Sequence, residues 1–340
     1  MSNTTSSPST VNIGAAQLNQ AASLSVLVLS FISVIPGGIG LIFNILIFTR
    51  PVLRNEACIV YFFSSTCYSI FIVLIMQPVR VVAASFNLDL ANYNLGICKI
   101  QWYALYGTRA IASWLIVLAC LDRFFHSSSN ACVRHLSSLK LAKVAVIISS
   151  MIIYISYSHM IVYYEITHSL DRFGNISPSC GAQQGTYRTF FGFWNMVMYS
   201  LCPCALMFLF GMLTLKNVRR HRFVMPVITE ANRAARRTDA QILRMLTAQV
   251  FVTILFTLPT AFNDLYASFT RSWVRNTYEV AQLNLLGRVT GIIPYFAHSS
   301  TFYLYTLTGT IFRRELVKIF RRWLHQSQNI FITTQNTEAH

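Results

Sequence analysis

Few residues of this chain carry a charge. Only 11% of the 340 are Asp, Glu, Lys or Arg, against about 25% in a soluble globular protein, and acidic side chains are the rarest, 11 beside 27 basic ones. That shortage nearly excludes a soluble enzyme. Cysteine is scarce too, eight in all, too few for a disulfide scaffold, and no Cys-x-x-Cys or Cys/His cluster has metal-ligand spacing. No His-Glu-x-x-His, Gly-x-Ser-x-Gly or pair of intramembrane aspartates occurs, so a membrane-embedded hydrolase lacks its machinery, and scattered histidines such as His159 and His298 read as structural. There is no inverted repeat, and Asp122 is the only acidic residue in the inner half of an expected span, which weighs against a transporter or channel. Neither enzymatic activity nor a metal or cofactor is expected.

Apolar sequence is abundant: 54% of residues are hydrophobic. A bilayer core about 30 Å thick is crossed by about 20 mostly apolar helical residues. Seven such stretches occur, over Ala22 to Phe48, Ile59 to Ala83, Cys98 to Phe125, Leu139 to Tyr164, Phe190 to Leu215, Ile242 to Ser268 and Leu285 to Leu307. The last is interrupted by Arg288, Pro294 and His298. No remaining stretch could form a separate domain. The expected fold is therefore an all-α membrane protein, a seven-transmembrane helix bundle.

The formal charge of +16 reads as membrane topology and not as a nucleic-acid surface, because the basic residues lie between the apolar runs. With the N-terminus outside, the inner connections hold Arg50, Arg54, Arg123, Arg134, Lys140, Lys143, Lys216, Arg219, Arg220, Arg222, Arg233, Arg236, Arg237 and Arg244. They are joined after the last span by Arg313, Arg314, Lys318, Arg321 and Arg322, giving 19 of the 27 basic residues. Residues 1–21 are expected to be an extracellular tail without a cleaved signal, the first span serving as signal. Residues 22–308 then form the bundle. Within 309–325, Phe312, Leu316, Ile319, Phe320 and Trp323 recur at helical spacing among the basic residues, as in an amphipathic helix on the inner membrane surface. Residues 326–340 form a cytoplasmic tail. Two sequons, at Asn3 and Asn175, fall on the outer side, where glycosylation is available, although Pro178 follows the second directly.

Local constellations carry the functional reading. Asp122 and Arg123, followed by Phe124, stand at the inner end of the third span, where a charged pair is costly unless satisfied or facing a polar cavity. A snorkelling Arg at a helix end is the simpler alternative. Pro203, Pro259 and Pro294 interrupt spans and serve either as pivots or as static kinks. Cys98, at the outer end of the third span, and Cys180, between the fourth and fifth, lie on the oxidising face, where a disulfide persists. The other six cysteines read as buried or free thiols.

As a set, these residues resemble the rhodopsin-like (class A) G-protein-coupled receptors across residues 22–325. Asp122-Arg123-Phe124 is similar to that family's Asp-Arg-Tyr motif, and Cys98 with Cys180 to its outer disulfide. Asn44, Pro203 and Pro259 fall where the family has characteristic residues, and Tyr305, seven residues before Phe312, resembles the tyrosine ending its Asn-Pro-x-x-Tyr motif. The chain departs from the pattern in several places. Thr301 to Tyr305 lacks that Asn and Pro, Phe256-Thr257-Leu258-Pro259 replaces Cys-Trp-x-Pro, the fourth span has no tryptophan, and Ser69 stands nearest the second-span aspartate, which leaves the family's sodium site open here. The sequence from Phe302 to Leu316 most resembles invertebrate peptide-receptor-like orphans.

The resemblance implies a plasma-membrane receptor that opens the inner ends of its helices to a heterotrimeric G protein, and an arrestin as a further partner. Asp239 would meet Arg123 in an ion pair closing the inner mouth, or else remains a solvated charge beside Arg236 and Arg237. The inner basic clusters equally suit an anionic leaflet. Leu105 stands where amine receptors carry an aspartate, and the seventh span has no retinal-binding lysine. Arg80, Tyr106, Arg109, Asp264 and Arg288 are the candidate ligand-binding residues, a mixed set suited to an extracellular peptide. A small-molecule chemosensory receptor is the alternative. Arg109 is the sharpest of them: a guanidinium deep in the third span needs a carboxylate from the ligand or a neighbouring helix, or an internal hydrogen-bonded place.

Overall fold

A computed structural model describes residues 8–86, 89–170, 176–224, 230–270, 273 and 276–322. Helix α1 runs over Pro8–Phe48. Helix α2 comprises Ala57–Ile70, a π-helical stretch Phe71–Met76 and Gln77–Phe86. Helix α3 is Leu95–His126, and α4 is Leu139–Tyr157 with a further turn over His159–Tyr163. Strands β1, Tyr164–Leu170, and β2, Ile176–Ala182, pair antiparallel with Ile166 opposite Cys180. Helix α5 comprises Thr186–Asn195, the π-helical stretch Met196–Leu201 and Cys202–Val224. Helices α6, Glu230–Phe269, α7, Thr277–Ser299, and α8, Thr301–Thr308, follow, and helix α9 occupies 310–322.

Six of these helices are long and apolar enough to cross a membrane: Ile13–Phe48, Ala57–Ala83, Leu95–His126, Leu139–Tyr163, Thr186–Arg219 and Ala240–Ala267. Their apolar side chains point outward in continuous belts, such as Ile147, Ile148, Met151, Ile152 and Ile155 on α4 and Phe251, Leu255 and Phe262 on α6. In water such belts would drive aggregation; against lipid they cost nothing, as expected of a multi-pass helical membrane protein. Helix α3 is the axis. In its central window 72% of residues are buried, against 17% for α4, and α3 packs on α2, α4, α5 and α6.

Several boundaries differ from the sequence reading. The first helix covers Pro8–Phe48, so residues 8–21, read as tail, lie within α1. The segment read as one seventh span, Leu285 to Leu307, starts earlier and breaks within. Asn276 and Glu279 form a reciprocal capping box that starts α7 at Thr277, and the helix ends at Ser300, with α8 resuming at Thr301. Thr277–Ser299 is not among the six sufficiently apolar helices. The all-α expectation also misses the β1–β2 hairpin, which tertiary ties hold in place: Asn92 Oδ1 accepts from the Cys180 backbone N–H at 2.9 Å, and Tyr163 O from Gln183 N–H at 2.9 Å.

Proline leaves a recurrent mark. Both π-helical stretches end two residues before a proline, Phe71–Met76 before Pro78 and Met196–Leu201 before Pro203. A proline ring clashes with the carbonyl four residues earlier and cannot donate to it, and one wider turn absorbs both problems. Pro259 and Pro294 lie inside α-helices without such a widening. Of the three expected pivots, then, only Pro203 reshapes its helix into a bulge, and Pro78 does the same unforeseen.

Helix α1 lies along α7 and α8 at glycine-limited distance. A Cβ on Gly37 would collide with Ser299 Cβ, and one on Gly40 would lie 2.8 Å from Phe302 Cβ. Polar pairs reinforce this seam: Asn44 Nδ2 donates to Thr301 Oγ1 at 3.0 Å, and Ser33 Oγ to Ser299 Oγ at 3.4 Å. Gly37→Ala is expected to cost about 1–3 kcal/mol through overpacking. Gly211→Ala, whose Cβ meets nothing within 4 Å, should leave stability unchanged or raise it. Thermal unfolding of the two purified variants in detergent checks the contrast.

Candidate functional site

Helix α3 carries a cluster of candidate functional side chains at each end. Near its start Cys98 is bonded to Cys180 of β2, which brings the hairpin over the bundle. Beneath the hairpin lies a cavity of about 670 Å³ lined by Trp102 and Tyr106 of α3, Tyr164 of β1, Cys180, Gly181 and Ala182 of β2, Arg188, Phe191 and Asn195 of α5, and Asp264 of α6. Its wall is aromatic: Tyr106 stacks on Trp102 at 5.6 Å between ring centroids and meets Phe191 edge-on at 4.9 Å, and Phe191 meets Tyr164 at 5.7 Å. Burial among these rings raises the Tyr164 phenol well above its ordinary value.

Spacing on two helices sets what lies deeper. Tyr106, Arg109 and Ser113 share one face of α3 at helical intervals, and all three are buried or nearly so. Arg109, 8% exposed, lies one turn below Tyr106. Its Cζ is 4.6 Å from the Tyr295 ring of α7 and 5.4 Å from the Tyr199 ring of α5, two cation–π contacts that offset part of its burial cost. Tyr199 sits within the π-helical stretch, four residues before Pro203, so the proline-driven widening sets the face on which that ring meets Arg109. Below them a void of about 10 Å³, room for about one water, is lined by Ser69, Ser113, Tyr199, Gln249, Thr253, Thr257 and His298. Ser69 Oγ and His298 Nδ1 hydrogen-bond at 3.2 Å across it. No carboxylate is among its lining residues.

The expected ligand set is thus only partly gathered. Tyr106 and Asp264 line the cavity, and Arg109 is not among its lining residues but lies one helical turn from Tyr106. Arg80 stands behind the wall, its Nη1 3.4 Å from Asp89 Oδ2 and its Cζ 4.2 Å above the Trp102 ring. Arg288 is not among the lining residues; its Nε donates to Asn284 Oδ1 at 3.0 Å on the same helix. Sequence reasoning missed Trp102, Tyr164, Phe191 and Asn195. The first and third lie on helix faces turned inward at the disulfide end, a placement the tertiary packing supplies.

The other end of α3 holds the charged pair. Arg123 Nε and Nη2 donate to Asp122 Oδ2 at 3.2 and 2.9 Å, and Ser137 Oγ donates to Asp122 Oδ1 at 2.8 Å. Both charged residues are 4% exposed. Consecutive helical residues do not ordinarily face one another; the long Arg123 side chain folds back to reach its neighbour. A second carboxylate, absent from the sequence reading, joins them: Glu56 Oε2, at the start of α2, lies 3.6 Å from Arg123 Nη2. Phe124 packs on Phe210 of α5 with centroids 6.1 Å apart. Tyr305, 1% exposed, is enclosed by Phe48, Phe62 and Phe312.

Around this end, Gln241 of α6 hydrogen-bonds Thr310 through its Nε2 and accepts from Ile311 N–H at 3.1 Å, tying α6 to the first turn of α9. Helix α9 buries Phe312, Glu315 and Ile319 while exposing Arg313, Arg314, Lys318, Arg321 and Arg322. The Asp239 side chain lies outside the described residues, as do Asn3, Asn175, Trp323 and the tail 326–340. The cysteines other than Cys98 and Cys180 form no disulfide, Cys67 and Cys132 exposed among them. No protein-family model matches the chain, and no curated protein matches it.

Proposed function

We propose that the chain is a seven-span plasma-membrane receptor of the rhodopsin-like kind, its N-terminus and disulfide outside, which converts binding of an extracellular ligand into activation of a heterotrimeric G protein. The observation that carries the reading is that one buried helix, α3, holds a hairpin-roofed cavity at one end and a buried Asp122–Arg123 pair at the other. The abundance of Lys and Arg at the pair's end fits a cytoplasmic face. Helix α7 with α8 completes the seventh crossing: flanked by α1 and α6, it is shielded from lipid on those sides and tolerates more polar sequence than a peripheral span.

In this reading the described arrangement is the closed one. Arg123 is held by Asp122 and Glu56, and Gln241 holds α6 to α9. A ligand that prefers the arrangement with α6 displaced shifts the population toward it, and the uncovered groove receives an amphipathic helix of the G protein, with arrestin competing for the same face. Exposed basic residues of α9 lie against anionic inner-leaflet lipid. A peptide suits the open, mixed-polarity cavity. A small chemosensory ligand is the second reading, favoured by the volume, which falls within the ordinary range for small-molecule sites of about 300–1,000 Å³.

The test is G-protein activation in cells expressing the full chain, screened with a peptide library and a small-molecule odorant library at matched surface levels. A response abolished by Arg123→Ala is the expected result. Absence of any response, with basal signalling identical in wild type and variant, would remove the receptor reading.

A further inference from the structure

We infer that Arg109 anchors a carboxylate of the ligand, so that the molecule entering the cavity is an organic acid or a peptide with a free C-terminal carboxylate. The inference rests on the receptor reading in taking the cavity as the ligand site, and it goes further by naming the ligand's chemistry.

The argument begins with which atoms lack partners. Arg109 is more than nine-tenths buried, and its Nε and Nη2 have no hydrogen-bond acceptor. A buried polar hydrogen without an acceptor costs about 1–3 kcal/mol, and more on a charged group. Those two nitrogens are not an arbitrary pair. In a guanidinium, Nε–H and the nearer Nη2–H lie on the edge opposite Cδ and point side by side, with the spacing of the two oxygens of one carboxylate. The tyrosine rings at 4.6 and 5.4 Å stabilise the cation through their π-faces, and the Tyr199 hydroxyl makes no hydrogen bond of good geometry to that edge. A single planar anion would satisfy both donors at once, which an amine, an alcohol or a hydrocarbon cannot do.

Access and charge point the same way. Tyr106 lies one turn nearer the disulfide on α3 and lines the cavity; Asn195 lies one turn nearer on α5 from Tyr199 and lines it too. Arg109 and Tyr199 thus each lie one helical turn beyond a residue that lines the cavity, on the side away from the disulfide. Arg188 on the wall adds a second cation. Asp264, also on the wall, is the protein's own nearby carboxylate, yet it does not occupy the Nε–Nη2 edge. An acid seated there is surrounded by low-dielectric aromatic walls, where a charge-assisted pair is stronger than in water.

The test uses the purified full-length chain in lipid nanodiscs and reads thermal unfolding by tryptophan fluorescence. The probes are millimolar benzoate against benzamide, and the peptide Gly-Gly-Phe against its C-terminal amide. At least one acid is expected to raise the midpoint while its amide does not, and which one does so separates a small organic acid from a peptide terminus. Arg109→Gln should weaken acid binding about a hundredfold by removing both bonds, and Arg109→Lys, keeping the charge without the fork, about tenfold. If Arg109→Gln fails to fold, the Lys variant still decides. Equal effects of acid and amide, no effect of either acid, or undiminished acid binding by Arg109→Lys would each overturn the inference. Binding is read without signalling. Acid binding without G-protein activation therefore sustains the anchor and sinks the receptor reading, whereas activation only by neutral or amidated ligands does the reverse.

Discussion

Asp122→Ala is expected to lower the stability of the full chain by about 3 kcal/mol, because removing one member of a buried, hydrogen-bonded ion pair is strongly destabilising. The Asp122 carboxylate does two jobs at once. One oxygen accepts both Nε and Nη2 of Arg123 and the other accepts Ser137 Oγ, which ties the end of α3 to the connection leading into α4. Glu56, 3.6 Å from Arg123 Nη2, is too far for a good hydrogen bond and does not replace that pairing. Glu56→Gln is the informative comparison. That carboxylate is about one-third exposed, water screens it, and its loss should cost under about 1 kcal/mol. Thermal or denaturant unfolding in detergent reads both. Equal losses from the two variants would mean that Arg123 depends on Glu56 as much as on Asp122, contrary to the geometry.

The double variant Cys98→Ser, Cys180→Ser is expected to lose up to about 4.5 kcal/mol. The bridge closes a separation of 82 residues, and the chain-entropy account of such a loop gives a value of about that size. It is an upper bound, since spans that stay helical in lipid already restrict the unfolded chain. The local consequence is as important. The hairpin meets the bundle through that bond, the Cys180 N–H to Asn92 and a bond from Gln183 to Tyr163, and it supplies Tyr164, Cys180, Gly181 and Ala182 to the cavity wall. Removing the bridge should bring faster protease cleavage within 164–182 as well as a lower melting midpoint. A reductant should bring the wild type to the same state and leave the double variant unchanged.

How much of this was legible beforehand depended on whether a feature was written locally. The six apolar helices follow from runs that need only length and composition to be read. The seventh segment was started too late and read without its break, because its start depends on a side-chain cap at Asn276 and Glu279 and its break at Ser300 interrupts no apolar run. Cys98 and Cys180 are joined as the resemblance implied. The β1–β2 hairpin was missed because Tyr164 to Ala182 mixes polar and apolar residues without strict alternation, and what holds it is a covalent tie to α3.

For the site, sequence alone supplied the unusual residues: a guanidinium at Arg109, an Asp–Arg pair at the end of a span, and prolines within helices. Each is costly in an apolar helix and so stands out wherever it occurs. Which partners meet them was decided only by packing. Arg80 was drawn to Trp102 and Asp89, and Arg288 to Asn284. Glu56 reached Arg123 across α2 and α3. Tyr199 and Tyr295 arrived at Arg109 from two other helices, one of them turned by a π-helical stretch ahead of Pro203. The physical reason is range. Hydrophobic length and the cost of an isolated charge are properties of a single segment, whereas a partner is chosen by which faces of which helices are brought within a few ångströms, and no one segment encodes that.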